Sequence, residues 1–235
     1  GRVPMISNGS SIQALIAGAT AKQPPSARCL EGLTCLGKAH PDSLTYESQG
    51  GFGRFSLGVV DTHFSERGRT LRLFTLLKDT NQKYGFGIDE TTALLVSDTS
   101  KETQFAVVGQ SGVVVLEVID DSSFYYSYWP QGVLVASRLQ QEMNFEFFGG
   151  MKKVDSENLL STQPIANDIM NKTQLRKATQ SMCRNNIHQL IGTTEHEKMR
   201  WQIEFKKDAV TDFYEPQKNT ELCAIQKLKV SVTAK

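Results

Sequence analysis

Three short stretches of the chain carry residue types that together could perform acyl transfer. In Gly9-Ser10-Ser11-Ile12-Gln13-Ala14 a serine sits on a turn between an apolar stretch at 3–7 and an Ala-rich stretch at 12–21. A hydroxyl on a tight strand-to-helix turn projects into solvent, and the helix N-terminus behind it favours developing negative charge. Ser11 is therefore a candidate nucleophile. The run Asp61-Thr62-His63-Phe64-Ser65-Glu66-Arg67-Gly68-Arg69 sets His63 just beyond an apolar segment. That is the carboxyl edge where α/β sheets hold working residues, and an imidazole there can accept a serine proton. Gly87-Ile88-Asp89-Glu90-Thr91-Thr92-Ala93 offers two carboxylates ahead of a strand, and either can orient the imidazole and stabilise its cation.

Positioning these groups needs strands and helices in alternation. Residues 3–7 read as a short buried strand, 12–21 as a helix and 23–58 as a long loop containing Pro24-Pro25. Residues 57–61 supply another buried strand. Ser65 can cap a helix running to about Asp79, with Leu71, Phe74 and Leu77 on one face and Arg69 and Arg72 on another. A turn from Gly85 leads into a strand at 92–96, and 105–108 and 113–118 read as strands joined by Gly109-Gln110-Ser111-Gly112. The alternation predicts an α/β fold. Past about residue 150 the texture changes: 155–192 is polar with helical pieces, whereas 201–205 and 228–232 alternate as half-buried antiparallel strands do. The expected organisation is a domain over 1–150 and a small appended α+β module over 151–235.

The segments 61–69 and 85–96, with Arg72, resemble two signature stretches of the cyanophycinase family of serine peptidases, which includes aspartyl dipeptidase (peptidase E). The 9–14 turn is similar to that family's G-T-S-A-G-A elbow, keeping the Gly, the Ser and the final Ala. The resemblance implies a three-layer sandwich with a mostly parallel central sheet, of which 1–150 is the later part, lacking its N-terminal strands. It implies Ser11 as nucleophile, His63 as general base and Glu90 as the acid that orients it. Asp61, Thr62, Arg67, Arg69 and Arg72 then fall at substrate-binding positions, where guanidinium groups pair with carboxylates. The implied activity is hydrolysis of peptide bonds at aspartyl residues through an acyl-enzyme, without cofactor or metal. The elbow departs from the family at Ile12 and Gln13, and on those departures the competing expectation is a non-catalytic member with an extracellular binding, storage or structural role.

Four cysteines, Cys29, Cys35, Cys183 and Cys223, form no C-x-x-C pair and lack histidines at zinc-finger spacing. Cys183 and Cys223 fall in the later module and are its natural disulfide pair, leaving Cys29 and Cys35 as further candidates. Asn8 and Asn171 open N-x-S/T sequons. An even cysteine count with sequons favours a secreted or lumenal protein. His196-Glu197 lacks the second histidine of H-E-x-x-H, and the aromatic run 124–129 has no interleaved basic residues, so it reads as loop and core packing.

The 235 residues and a 39% hydrophobic content suffice for a sizeable core. With 26 Lys and Arg against 25 Asp and Glu, the net charge of +1 exerts no global pull toward nucleic acid or an anionic membrane. No apolar run approaches the roughly 18 residues a membrane helix needs. The expected partners are an aspartyl-containing peptide substrate and the N-terminal half of the same precursor as a separate chain, with Gly1 generated by proteolysis. A homodimer is a further option, and neither nucleic acid nor membrane is expected.

Overall fold

The computed structural model describes residues 55, 57–98, 102–138, 145–148, 151–154, 163–196, 199–215 and 221–235. Ser11, Asn8, Cys29, Cys35 and the expected strand, helix and long loop of the first 54 residues lie outside them.

A nine-stranded sheet forms the centre. Its strands are β1 (Val59–Thr62), β2 (Tyr84–Ile88), β5 (Gly112–Asp120), β6 (Ser123–Pro130), β9 (Gln163–Asn167), β10 (Gln189–His196), β11 (Met199–Lys206), β12 (Asp212–Tyr214) and β13 (Ala224–Ala234). They run in the order β1-β2-β5-β6-β13-β11-β10-β9, with β12 paired to β13 off this path. A second sheet, β3-β4-β7-β8, consists of β3 (Thr92–Asp98), β4 (Glu102–Gly109), β7 (Leu134–Arg138) and β8 (Phe145–Phe148). Two helices, α1 (Thr70–Asp79) and α2 (Gln174–Arg184), complete the described elements beside a 3-10 turn at Ser65–Arg67.

The expected α/β sandwich with a mostly parallel sheet is corrected here. The protein is mostly β, and its central sheet is mixed and largely antiparallel. Among the described residues only β1 with β2 and β9 with β10 pair in parallel, at the two ends of the strand order. Between them β2–β5, β5–β6, β6–β13, β13–β11 and β11–β10 are all antiparallel. The physical reason lies in the connections. A parallel pair needs a long crossover, which among the described residues α1 and α2 supply, whereas the two residues between β5 and β6 close a hairpin that fixes opposite directions. The strands after residue 150 join the same sheet through β13 and β6 rather than forming a separate α+β fold, and 163–196 is itself a second β-α-β unit.

Burial explains why β5 and β6 carry no simple alternation. Val114 and Leu116 face a core shared with Leu73, Phe74 and Leu77 of α1 and Met182 of α2. Val113 and Val115 face the opposite core, with Phe86, Trp129 and Phe105 of the second sheet. A strand covered on both faces reads as a continuous apolar run. For the same reason the aromatic run 124–129, expected as loop and core packing, is core but not loop: it is the interior strand β6, with Phe124, Tyr126, Tyr128 and Trp129 fully buried.

The stretch before Glu90, expected as a turn, is the strand β2. Its glycines fit it to its neighbours: a Cβ on Gly85 would lie 2.8–2.9 Å from side-chain atoms of Leu77 and Leu73, and one on Gly87 would lie 2.3–2.5 Å from ring atoms of Phe64. Glycine thus lets α1 and Phe64 settle directly onto the backbone of β2, while Tyr84 and Phe86 fill the other face.

Candidate active site

Parallel β1 and β2 end at the same edge of the sheet, so the residues that follow each strand become neighbours. His63 follows Thr62, and Glu90 lies two residues beyond Ile88. The ladder continues one step past the strands through Phe64 N–H donating to Ile88 O at 3.2 Å, which locks the two loops side by side. His63 Nδ1 and Glu90 Oε1 are 2.9 Å apart. The two side chains are 38% and 47% exposed, so the pair opens to solvent. With Glu90 ionised, Nδ1 carries the proton and Nε2 is left as the basic nitrogen. His63 is held at φ 49, in the left-handed region that is uncommon for non-glycine residues, although histidine, like asparagine and aspartate, enters it more readily than most.

Asp61, Arg69 and Arg72 come together in a different way. Arg72 donates through Nε to Asp61 Oδ2 at 2.8 Å and through Nη2 to Oδ1 at 2.7 Å. Arg69 Nη1 donates to Oδ1 at 2.9 Å and to Thr62 O at 2.6 Å, and Thr62 N–H adds a bond to Oδ1 at 2.8 Å. Asp61, Arg69 and Arg72 are 1%, 3% and 1% exposed. Burial opposes the charge on Asp61, yet the Arg72 guanidinium, then Arg69 and the Thr62 amide, hold its carboxyl below the usual carboxylate range. Of the five positions expected to bind substrate, these three and the buried Thr62 form part of the framework in this structure, and Arg67 is the exposed one.

A second network abuts the dyad, and most of it has no signal in the sequence. Asp89 is buried; its Oδ1 accepts from Ser65 N–H at 2.9 Å, and its Oδ2 accepts from Ser111 Oγ at 2.9 Å and Tyr128 OH at 3.4 Å. Arg176, from the first turn of α2, donates through Nη1 to Asp89 Oδ2 and Ser111 Oγ, both at 2.7 Å, and to Glu66 Oε1 at 3.0 Å. Burial opposes the Arg176 charge, but the Asp89 carboxylate outweighs it and keeps the guanidinium protonated. Burial likewise pushes the Tyr128 phenol up, so it remains a neutral donor. Glu66 Oε2 in turn accepts from Glu90 N–H at 3.2 Å. Glu66 and Asp89 stand inside the motifs already singled out, and Ser111 stands in the short link between β4 and β5. Arg176 lies 110 residues from Glu66, and nothing local marks it.

Cys183 and Cys223 are both buried and unbridged, and each is within hydrogen-bonding reach of the other's sulfur. Gln180, one turn before Cys183, clamps the Cys223 backbone through Nε2 to O at 3.0 Å and N–H to Oε1 at 2.7 Å. Asn171 is exposed on the turn before α2. Among the described residues no group of three or more His, Cys, Asp or Glu is placed to hold a metal ion, and no helix is long and apolar enough to cross a membrane. The chain matches none of the known protein-family models.

Proposed function

We propose that the protein is a cyanophycinase-like serine peptidase that hydrolyses peptide bonds at aspartyl residues. Ser11 Oγ attacks the scissile carbonyl while His63 Nε2 takes its proton, and Glu90 holds Nδ1–H and stabilises the imidazolium. The proton passes to the leaving amine as the C–N bond breaks, leaving an ester on Ser11. Water, deprotonated by His63, then cleaves that ester and restores the serine. Arg67, exposed at the end of the turn that follows His63, is the guanidinium offered to a substrate carboxylate.

The single observation that supports this reading most is the 2.9 Å contact between His63 Nδ1 and Glu90 Oε1 at one edge of a parallel strand pair. The reading rests on site and motif, not on the architecture, because a fold by itself does not define an activity. A fluorophosphonate probe applied to the full chain tests it. Labelling at Ser11 that disappears in Ser11→Ala and drops sharply in His63→Asn is the expected result. No labelling, under conditions where an active serine peptidase is labelled, overturns it.

A further inference from the structure

We infer that Arg176 is a positioning residue for the His63–Glu90 dyad, supplied from α2, 110 residues beyond Glu66, to hold the two loops that carry it. The inference deepens the hydrolase reading, on which it depends only for its catalytic consequence.

The loop after β1 carries His63 and Glu66, and the loop after β2 carries Asp89 and Glu90. Each presents a carboxylate to the other, Glu66 from one side and Asp89 from the other. Left alone, two like charges on adjacent loops push them apart. Arg176 Nη1 stands between them, 3.0 Å from Glu66 Oε1 and 2.7 Å from Asp89 Oδ2. The effect reaches Glu90 by two short routes. Asp89 is its immediate chain neighbour, and Glu66 receives its backbone N–H at 3.2 Å. A guanidinium that fixes Glu66 and Asp89 therefore fixes the backbone from which Glu90 reaches His63.

The surroundings of Arg176 favour this role over a solvated surface pair. Its side chain is 20% exposed and that of Asp89 is fully buried. The α2 turn is seated on the same loop by backbone, since Thr173 N–H donates to Ser65 O at 2.7 Å. Gly68, at φ 59, has no Cβ and lets the Met170 carbonyl approach its backbone closely. Three consecutive contacts, at Met170, Thr173 and Arg176, thus press the segment 170–176 against the 65–68 turn.

The test reads the imidazole directly in full-length protein labelled with 15N-histidine, assigned by His63→Asn. In the wild type the two ring-nitrogen shifts are expected to report the Nδ1–H tautomer. Arg176→Gln, which removes the charge, is expected to give a mixture of tautomers at unchanged far-UV circular dichroism. Arg176→Lys, which restores a charge able to donate to both carboxylates, is expected to recover most of the Nδ1–H form. Phe205→Leu, a core change on β11, controls for lost stability and should leave the tautomer alone. Should Arg176→Gln not fold, Glu66→Gln cuts the same path at its exposed end and is read identically. Where hydrolysis is measurable, Arg176→Gln should lower kcat about 100-fold with little change in KM, as a misplaced catalytic group does. A wild type in the Nε2–H tautomer, or a folded Arg176→Gln or Glu66→Gln variant with an unmixed Nδ1–H tautomer, overturns the inference. If the probe never labels Ser11 while the tautomer still depends on Arg176, the hydrolase reading falls and the positioning role stands.

Discussion

The Asp61 triad and the His63–Glu90 dyad begin two residues apart, Asp61 inside the end of β1 and His63 just past it, yet the fold treats their charges in opposite ways. Asp61 is enclosed by two guanidinium groups and a backbone amide, and both its oxygens are engaged. The dyad makes one contact at 2.9 Å with both side chains more than a third exposed. The triad sits under the first turns of α1, where chain direction is set, and ties the end of β1 to the helix that crosses to β2. A buried charge cluster of this kind is strongly destabilising to break and nearly silent when whole. The dyad contributes little to holding the protein together and keeps a basic nitrogen available. Charged residues in one motif thus divide by burial into a set enclosed in the scaffold and a pair open to solvent.

The sharpest way to break the contrast is to unpair the triad. Asp61→Ala leaves two guanidinium groups buried without an anion and is expected to cost about 3–5 kcal/mol. Urea denaturation at pH 7 measures it. A loss below about 1 kcal/mol would mean that Arg69 and Arg72 reach water, and the triad would then belong with the dyad. Acid titration gives the same information continuously. Because Asp61 ionises below its ordinary range in the folded protein, the unfolded chain binds the extra proton first as pH falls. The triad's contribution is therefore complete above the unfolded value of about 4 and is lost as pH drops through the folded value. Urea midpoints should fall below about pH 4 more steeply for the wild type than for Asp61→Asn, which starts lower and has no such group to protonate.

A smaller effect is expected at Gly87, where the two clusters share a wall. Its missing Cβ makes room for Phe64, the residue after His63. Gly87→Ala should cost about 1–3 kcal/mol by overpacking. It should also push the His63 loop off β2, so probe labelling at Ser11 should fall with stability. Intact labelling at reduced stability would uncouple the dyad from the packing of β2.

Much of the local chemistry was legible in the sequence, and less of the architecture. The β1 strand and the helix after it are legible, because Leu71, Phe74 and Leu77 recur on one face and the segment before them is apolar, whereas the glycine-bearing β2 reads as a turn. The residues alone offer both Asp89 and Glu90 to His63, and the family resemblance selects Glu90; in the structure Glu90 is the one 2.9 Å from Nδ1. The start of the helix was misplaced: Ser65–Arg67 forms a 3-10 turn, Gly68 reverses at φ 59, and α1 begins only at Thr70. The resemblance places Arg69 and Arg72 at substrate-binding positions, and sequence alone does not show that both guanidinium groups pair with Asp61 in the interior. The parallel sheet failed for a plainer reason. Strand direction depends on which partner lies alongside, and β6 pairs with β13, more than 90 residues away along the chain. Arg176 was invisible on the same account, since its partners are in other elements.

The smallest expected effect is the one that most sharpens the comparison. His63→Asn suits the left-handed backbone at φ 49, because asparagine tolerates that region. Glu90→Gln keeps the size and a hydrogen-bonding carbonyl. Solvent screens a pair this exposed, so each substitution should change the unfolding free energy by no more than about 0.5 kcal/mol. Under the peptidase reading the chemical consequence runs the other way: Glu90→Gln no longer holds the Nδ1–H tautomer, and the acylation rate should fall about 10⁴-fold. Urea denaturation and the rate of fluorophosphonate labelling, taken on the same samples, separate the two. A stability loss above about 2 kcal/mol in either variant would make the dyad a second structural anchor, and burial would no longer distinguish the charges that build this edge from those that react at it.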